Sequence, residues 1–221
     1  MRPLRWNSFW KFLLMKIKIL TALLFLCTVS GFAQEQKMSE SEIASFKNAV
    51  NTTAKSTKTL TTDFTQFKHL DFLEKDIETS GKMNFKAPGS LAWEYLKPYK
   101  YSIVFKNNKI YINDAGKKSN IDNNKMFDKL NKLIVGSVNG NMFDDKEFTI
   151  SYFKTKEFNI TKLLPKDATL KKYIKQMELY FDKSGNTVSQ VKMIESSNDF
   201  TKIIFKNKAI NAKISDSVFN N

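Results

Sequence analysis

The chain has 221 residues with 36 Lys and Arg against 22 Asp and Glu, a formal charge of +14, and a single His and a single Cys. The length suits one domain with a substantial core. One His without a second nucleophile or a metal partner, one Cys and no acidic triplet at ligand spacing argue against catalysis, metal binding and a cofactor, so the chain is expected not to be an enzyme.

The first signals concern export. Met15-Lys16-Ile17-Lys18, the apolar run from Ile19 to Val29, and Gly31-Phe32-Ala33 make the basic, apolar and small-residue parts of a secretory signal peptide. Cleavage is expected after Ala33, leaving residues 34–221 as one exported domain. Met1 to Leu14 add nothing to such a signal, so Met15 is the alternative start. A retained membrane helix is the competing reading, but Lys16 and Lys18 leave fewer than the ~20 apolar residues a span needs. Cys27 lies inside the signal, and Leu26 before it is not the small residue a lipidation cysteine normally follows.

Removing residues 1–33 takes away five basic residues and no acidic one, which leaves 31 against 22 and a charge of +9. A basic surface fits acidic partners such as anionic lipid headgroups or a receptor patch, or it is a solvated face in which Lys outnumbers Glu. The lysines alternate with apolar residues and form no compact block, so no nucleic acid is expected.

Ser39 with Glu42 three residues on forms a capping box, and Ile43, Phe46 and Val50 follow at helical spacing, predicting a helix over about 40–55. Thr-rich residues 56–62 break it, and Phe64, Gln66 and Phe67 open a long strand. Met83, Phe85 and Ala87 share one strand face; after Pro88-Gly89, Leu91, Trp93 and Tyr95 share one with Glu94 opposite. This predicts an antiparallel hairpin with one solvated face. Meander strands follow at Tyr101, Ile103 and Phe105 and at Ile110 and Ile112, turning at Asn107-Asn108.

The period changes over 123–143, where Met126, Leu130, Leu133 and Ile134 recur at helical intervals between glycines, predicting one or two short inserted helices. Asp144-Asp145 reads as a loop. Alternation returns at Phe148 to Tyr152, Phe158 to Ile160, Met177 to Phe181, Val191 to Met193 and Ile203 to Phe205, with Asn207 leading into Ile210 and Ile214. Roughly ten amphipathic strands share an apolar face that two helical regions cannot cover, so the sheet must curl around a space filled by side chains or by a ligand.

One stretch carries a family pattern. Phe64-Thr65-Gln66, then Gly81-x-Met83-x-Phe85-x-x-Pro88, then Leu91-x-Trp93-x-Tyr95-x-x-Pro98 resembles the LolA-type periplasmic carriers of outer-membrane lipoproteins, with weaker similarity through Phe205-x-Asn207-x-x-x-Asn211 and Phe219. The resemblance implies a mainly β fold with a few helices: an incomplete, half-open antiparallel barrel with a helical lid over an apolar cavity. It further implies a monomeric carrier that takes acylated lipoproteins from an inner-membrane lipoprotein-releasing ABC transporter and hands them to an outer-membrane acceptor. On that reading Trp93 lines the acyl-chain cavity with Phe64, Met83, Phe85, Leu91, Tyr95, Ile103 and Phe105, while Met126, Leu130, Leu133 and Ile134 belong to the lid.

The chain departs from the family at Ala87, where many members carry an Arg that latches the lid. Lys86 faces the other way on a regular strand, so closure is expected to rest on apolar lid contacts. Two alternatives stand beside the carrier: a module of the same fold that binds free lipid or a lipid-modified signal, and a lipid enzyme, for which a nucleophile and base are missing. Asp63 and His69 form the only acid-base candidate, and the lone His reads as a surface residue.

Overall fold

The computed structural model describes residues 35–107, 109–121, 146–184 and 186–220. The strands are β1 Gln36–Lys37, β2 Thr59–His69, β3 Ile77–Lys86, β4 Ser90–Lys97, β5 Tyr101–Lys106, β6 Lys109–Asp114, β7 Lys117–Ile121, β8 Phe148–Lys154, β9 Phe158–Pro165, β10 Ile174–Asp182, β11 Val188–Glu195 and β12 Phe200–Ile210. Two α-helices, α1 Glu40–Ser56 and α2 Ala168–Lys171, and a 3-10 turn at Asp216–Phe219 complete the described elements. All strands join one antiparallel sheet in the order β1-β8-β9-β10-β11-β12-β2-β3-β4-β5-β6-β7, which does not close on itself. This is the expected mainly β, half-open architecture. The expected lid residues Met126, Leu130, Leu133 and Ile134, and Asp144-Asp145, lie outside the described residues.

Helix α1 begins at the capping box. The Ser39 N–H donates to Glu42 Oε2 at 2.9 Å and the Glu42 N–H donates to Ser39 Oγ at 3.4 Å, satisfying donors that a helix start leaves free. Phe46, Val50 and Ala54 are its buried stripe, four residues apart. The stripe packs on β8 to β10: the Phe46 ring meets Phe181 edge-on at 5.0 Å, within a core that includes Tyr152, Leu163, Met177 and Leu179. A second core lies on the other half of the sheet, where Leu60, Phe64, Met83, Phe85, Leu91, Trp93, Phe105 and Ile110 pack together. Each fully buried ring in these cores contributes about 1.5–3 kcal/mol.

Three expectations need correction. Strand β2 starts at Thr59, because Leu60, Thr62 and Phe64 already alternate inward and the Thr-rich stretch satisfies its backbone against β3 and β12. Ala87 is not on the strand face: β3 ends at Lys86, and Ala87 is exposed with its N–H donating to the Lys58 carbonyl at 2.8 Å. The outer face of the hairpin is not uniformly wet, since Ala92 and Val104 are buried there under Phe219, with Tyr111 and Ile214 alongside.

That cover comes from the end of the chain. Asn211 is held to the start of β2, its Oδ1 accepting from the Lys58 N–H at 2.7 Å and its Nδ2 donating to the Ser56 carbonyl at 3.0 Å. The following segment brings Asp216 into an ion pair with Lys86, and Asn220 Oδ1 accepts from Lys106 Nζ at 3.2 Å. Lys86 thus faces the outside of β3, as regular strand alternation requires.

Asn207 does not start a new strand. It sits inside β12 with φ 53°, where the register slips by one residue between Lys206, opposite Asp63, and Ala209, opposite Thr61. Asn tolerates this left-handed conformation, and the extra residue makes a β-bulge. Strand β7, Lys-Lys-Ser-Asn-Ile, carries no apolar alternation and escapes the sequence pattern; it forms one edge of the sheet, where exposed lysines suit an unpaired backbone. Strand β1 and helix α2 are likewise too short to leave a periodic signal.

Candidate functional site

Between α1 and the inner face of the sheet lies a cavity of about 240 Å³. Helix α1 and its C-terminal cap supply Val50, Thr53, Ala54 and Thr57; β2 to β4 supply Leu60, Thr62, Gln66, Met83 and Trp93; β10 to β12 supply Met177, Leu179, Val191, Met193, Ile203 and Phe205.

Strand register explains why these side chains converge. Met83 pairs with Trp93 and Thr62, Val191 with Ile203 and Leu179, and Met193 with Met177 and Thr201, so one row runs around the inner face. Two bulges change the parity. Between Tyr180 and Phe181 the register against β11 slips by one, which turns Val188 inward together with Val191. Past Asn207 the slip turns Lys208 and Ile210 inward after Ile203 and Phe205.

Aromatic packing fixes the wall at Trp93. Its ring lies 4.4 Å from Phe64 and 6.0 Å, edge-on, from Phe205, and Phe64 in turn meets Tyr95 edge-on at 5.3 Å. Such pairs add about 0.5–1.5 kcal/mol beyond the area they bury. Gly81 makes this possible: a Cβ there would sit 1.8 Å from the Glu94 carbonyl oxygen and 2.9 Å from the Phe64 ring. Only glycine leaves room for Phe64 and the β4 backbone together.

Four of the polar side chains on the lining are engaged with the protein itself. Thr62 Oγ1 donates to the Lys206 carbonyl at 2.7 Å, Thr57 Oγ1 donates to the Thr53 carbonyl at 2.7 Å, and Gln66 Oε1 accepts from the Tyr95 hydroxyl at 3.1 Å. Lys208 Nζ is paired with Asp182 at 2.5 Å and donates to Thr187 Oγ1 at 2.9 Å. Burial pushes the Tyr95 phenol up, offset in part by the Trp93 indole and Gln66. The buried indole N–H has no hydrogen-bond acceptor among the described residues. What the wall offers a ligand is therefore almost entirely apolar surface, with two flexible, polarisable Met side chains facing each other at 177 and 193.

Of the side chains the family pattern placed in the cavity, Met83 and Trp93 are on the lining. Phe64, Phe85, Leu91 and Phe105 are buried beside them in the same cluster, and Tyr95 and Ile103 are half-buried against it. The pattern missed the α1 residues and the whole β10 to β12 wall. The helical stripe and strand alternation signalled that these residues face inward, but not that they stop short of touching the opposite wall. Elsewhere, His69 Nδ1 lies 2.8 Å from Asp76 Oδ1 and its ring stacks on Phe200 at 4.7 Å, away from the cavity.

An open, curled antiparallel sheet holding an apolar cavity under a long helix defines a half-barrel of the kind that encloses ligands. The chain belongs to the LolA family: the family model described as outer membrane lipoprotein carrier protein LolA matches residues 55–221. No curated protein sequence matches it. Among solved structures it is similar to a LolA superfamily protein from Nitrosomonas europaea, at 8% identity over 80% of this chain and 97% of that one with a TM-score of 0.43. It is also similar to a putative outer membrane lipoprotein-sorting protein domain from Vibrio parahaemolyticus, at 8% identity over 81% and 95% of the two chains with a TM-score of 0.44. The lipoprotein LppX of Mycobacterium tuberculosis matches at 9% identity over 80% of this chain and 99% of that one, with a TM-score of 0.45.

Proposed function

We propose that this protein is a periplasmic, non-enzymatic carrier that shields the acyl chains of lipoproteins in the cavity beneath α1 and moves them from the inner membrane to the outer membrane. The observation that carries the reading is the apolar cavity walled by Trp93, Met83, Met177, Met193 and Phe205 in a chain of the LolA family. Each acyl CH₂ kept from water is worth about 0.8 kcal/mol, so a lipid-modified protein needs such a shelter to cross an aqueous space. The contacts are dispersive and adaptable, which suits a cargo that must also be given up. An ATP-driven transporter in the inner membrane and an acceptor in the outer membrane are the partners this role requires.

A second reading is favoured by size. A cavity of about 240 Å³ lies below the ~300–1,000 Å³ of typical small-molecule pockets, which fits one slender lipid more readily than several acyl chains. In that reading the protein binds free lipid or a lipid-modified signal and delivers no lipoprotein.

Release of newly acylated lipoproteins from spheroplasts of the source organism, with purified residues 34–221 added outside, tests the two. Soluble one-to-one complexes that are absent with Trp93→Glu support the carrier. Lipid co-purifying with the protein while no lipoprotein is released supports the lipid-binding module and sinks the carrier.

A further inference from the structure

Of the nine large hydrophobic side chains exposed among the described residues, seven sit at one end of the sheet. They include Phe72, 80% exposed, Tyr99, 65%, Tyr173, 53%, and Ile77, 47%. Register places them together: Lys68 pairs with Ile77, His69 with Phe200, Ile174 with Glu195 and Ser80 with Lys97, so the β2–β3 and β4–β5 connections and the segment before β10 all emerge at this end. None of these four side chains lines the cavity.

We infer that this end of the half-barrel docks on the surface of a lipid bilayer that carries anionic headgroups. Three connections project separate apolar tips along the rim of a curved sheet, a pattern that a flat, deformable surface meets at several points without a complementary cleft. Aromatic rings beside lysines, as at Tyr99 with Lys100 and Tyr173 with Lys172, are the chemistry of the membrane–water interface, where the ring enters the boundary layer and the ammonium stays in water.

The charges divide the rim. On the β2–β3 side Lys75, Lys97 and Lys100 are offset by Asp71, Glu74, Asp76 and Glu78, so the apolar tips dominate there. On the α2 side exposed Lys171, Lys172 and Lys175 outnumber Asp167, which caps α2 through the Leu170 N–H at 2.9 Å, so a cationic excess lies beside Tyr173. A bilayer with anionic headgroups takes up the apolar tips of the first part and attracts the lysines of the second.

Co-sedimentation of residues 35–221, which hold every described element and form a compact unit of their own, with phosphatidylethanolamine–phosphatidylglycerol vesicles and with pure phosphatidylcholine vesicles is the test. Binding to the anionic vesicles is expected. The double variant Phe72→Ser/Tyr99→Ser is expected to weaken it ~10-fold or more, and Lys171→Glu/Lys172→Glu to weaken it ~10-fold on anionic vesicles only. Vesicle binding is read without any lipoprotein or transporter present, so failure of the carrier reading leaves this one standing. These rim positions are exposed, and circular dichroism of each variant is the check that it folds. No binding by the parent chain, or binding by both double variants as tight as the parent's, overturns the inference.

Discussion

Trp93 and Phe64 lie with ring centroids 4.4 Å apart and planes tilted by 35°, joining the cavity wall to the core behind it. Trp93 is the only tryptophan in residues 35–221. Its fluorescence is therefore a direct reporter of the wall. Brominated fatty acid added to this chain is expected to quench the emission in a saturable way, and Ile203→Glu, which puts a charge on the opposite wall, is expected to abolish the quenching. Quenching that rises linearly without saturation would show that the cavity takes up no acyl chain.

Gly81→Ala is expected to be among the most damaging single-methyl changes in the protein. The new Cβ meets backbone at 1.8 Å, which no side-chain rotation relieves, so β3 and β4 must separate at Tyr95. A loss of about 3 kcal/mol or more in chemical denaturation is expected. A cost under ~1 kcal/mol would mean that β4 shifts freely there.

Thr161 runs the other way. Its side chain is fully buried and its hydroxyl has no hydrogen-bond partner among the described residues. A buried hydroxyl without a partner has a desolvation cost of ~1–3 kcal/mol, so Thr161→Val should leave stability unchanged or raise it. A lower denaturation midpoint for the variant would refute this.

Phe219 is 3% exposed against Ala92 and Val104 although it stands two residues from the end of the chain. Phe219→Ala is expected to cost about 3 kcal/mol by uncovering that outer face. Asp216→Asn, which removes only the exposed ion pair with Lys86, should change the melting temperature little. Equal effects of the two changes would show that charge rather than burial holds the tail.

Glu42 supplies a pH dependence of defined sign. The hydrogen bond from Lys154, followed by that from the Ser39 N–H, holds its carboxyl down from 4.5 to about 2. A carboxyl lowered on folding contributes stability that is fully present above its unfolded value and is lost as pH falls through the folded one. The contribution should therefore fade between pH 4.5 and about 2, and Glu42→Gln should flatten that part of the stability profile. An unchanged acid limb in the variant would count against Glu42, held by Lys154 and Ser39, as the source.

Much of the fold was legible in the chain itself because its causes are local. The capping box at Ser39 and Glu42, the stripe at Phe46 and Val50, and the alternation of Met83, Phe85, Leu91 and Trp93 each follow from periodicity and from one or two nearby hydrogen bonds. The Gly81-to-Pro98 pattern pointed to the family for the same reason: close approach at Gly81 and the aromatic row beside it are written into contiguous residues.

What the tertiary structure alone decided was which inward-facing residues touch a partner and which face empty space. Phe64 and Phe85 share the alternation of Trp93, yet they are core while Trp93 is wall, because the distance between α1 and β2 to β4 is set by how far the sheet curls. The bulges near Phe181 and at Asn207 reverse the side-chain parity, so Val188, Lys208 and Ile210 reach the cavity from positions that a regular strand would turn outward. Even the Phe219 cover depends on where a distant tail lands. Local pattern determines which face of an element is apolar; curvature, bulges and long-range contacts determine what that face meets, since these depend on residues far apart in the chain.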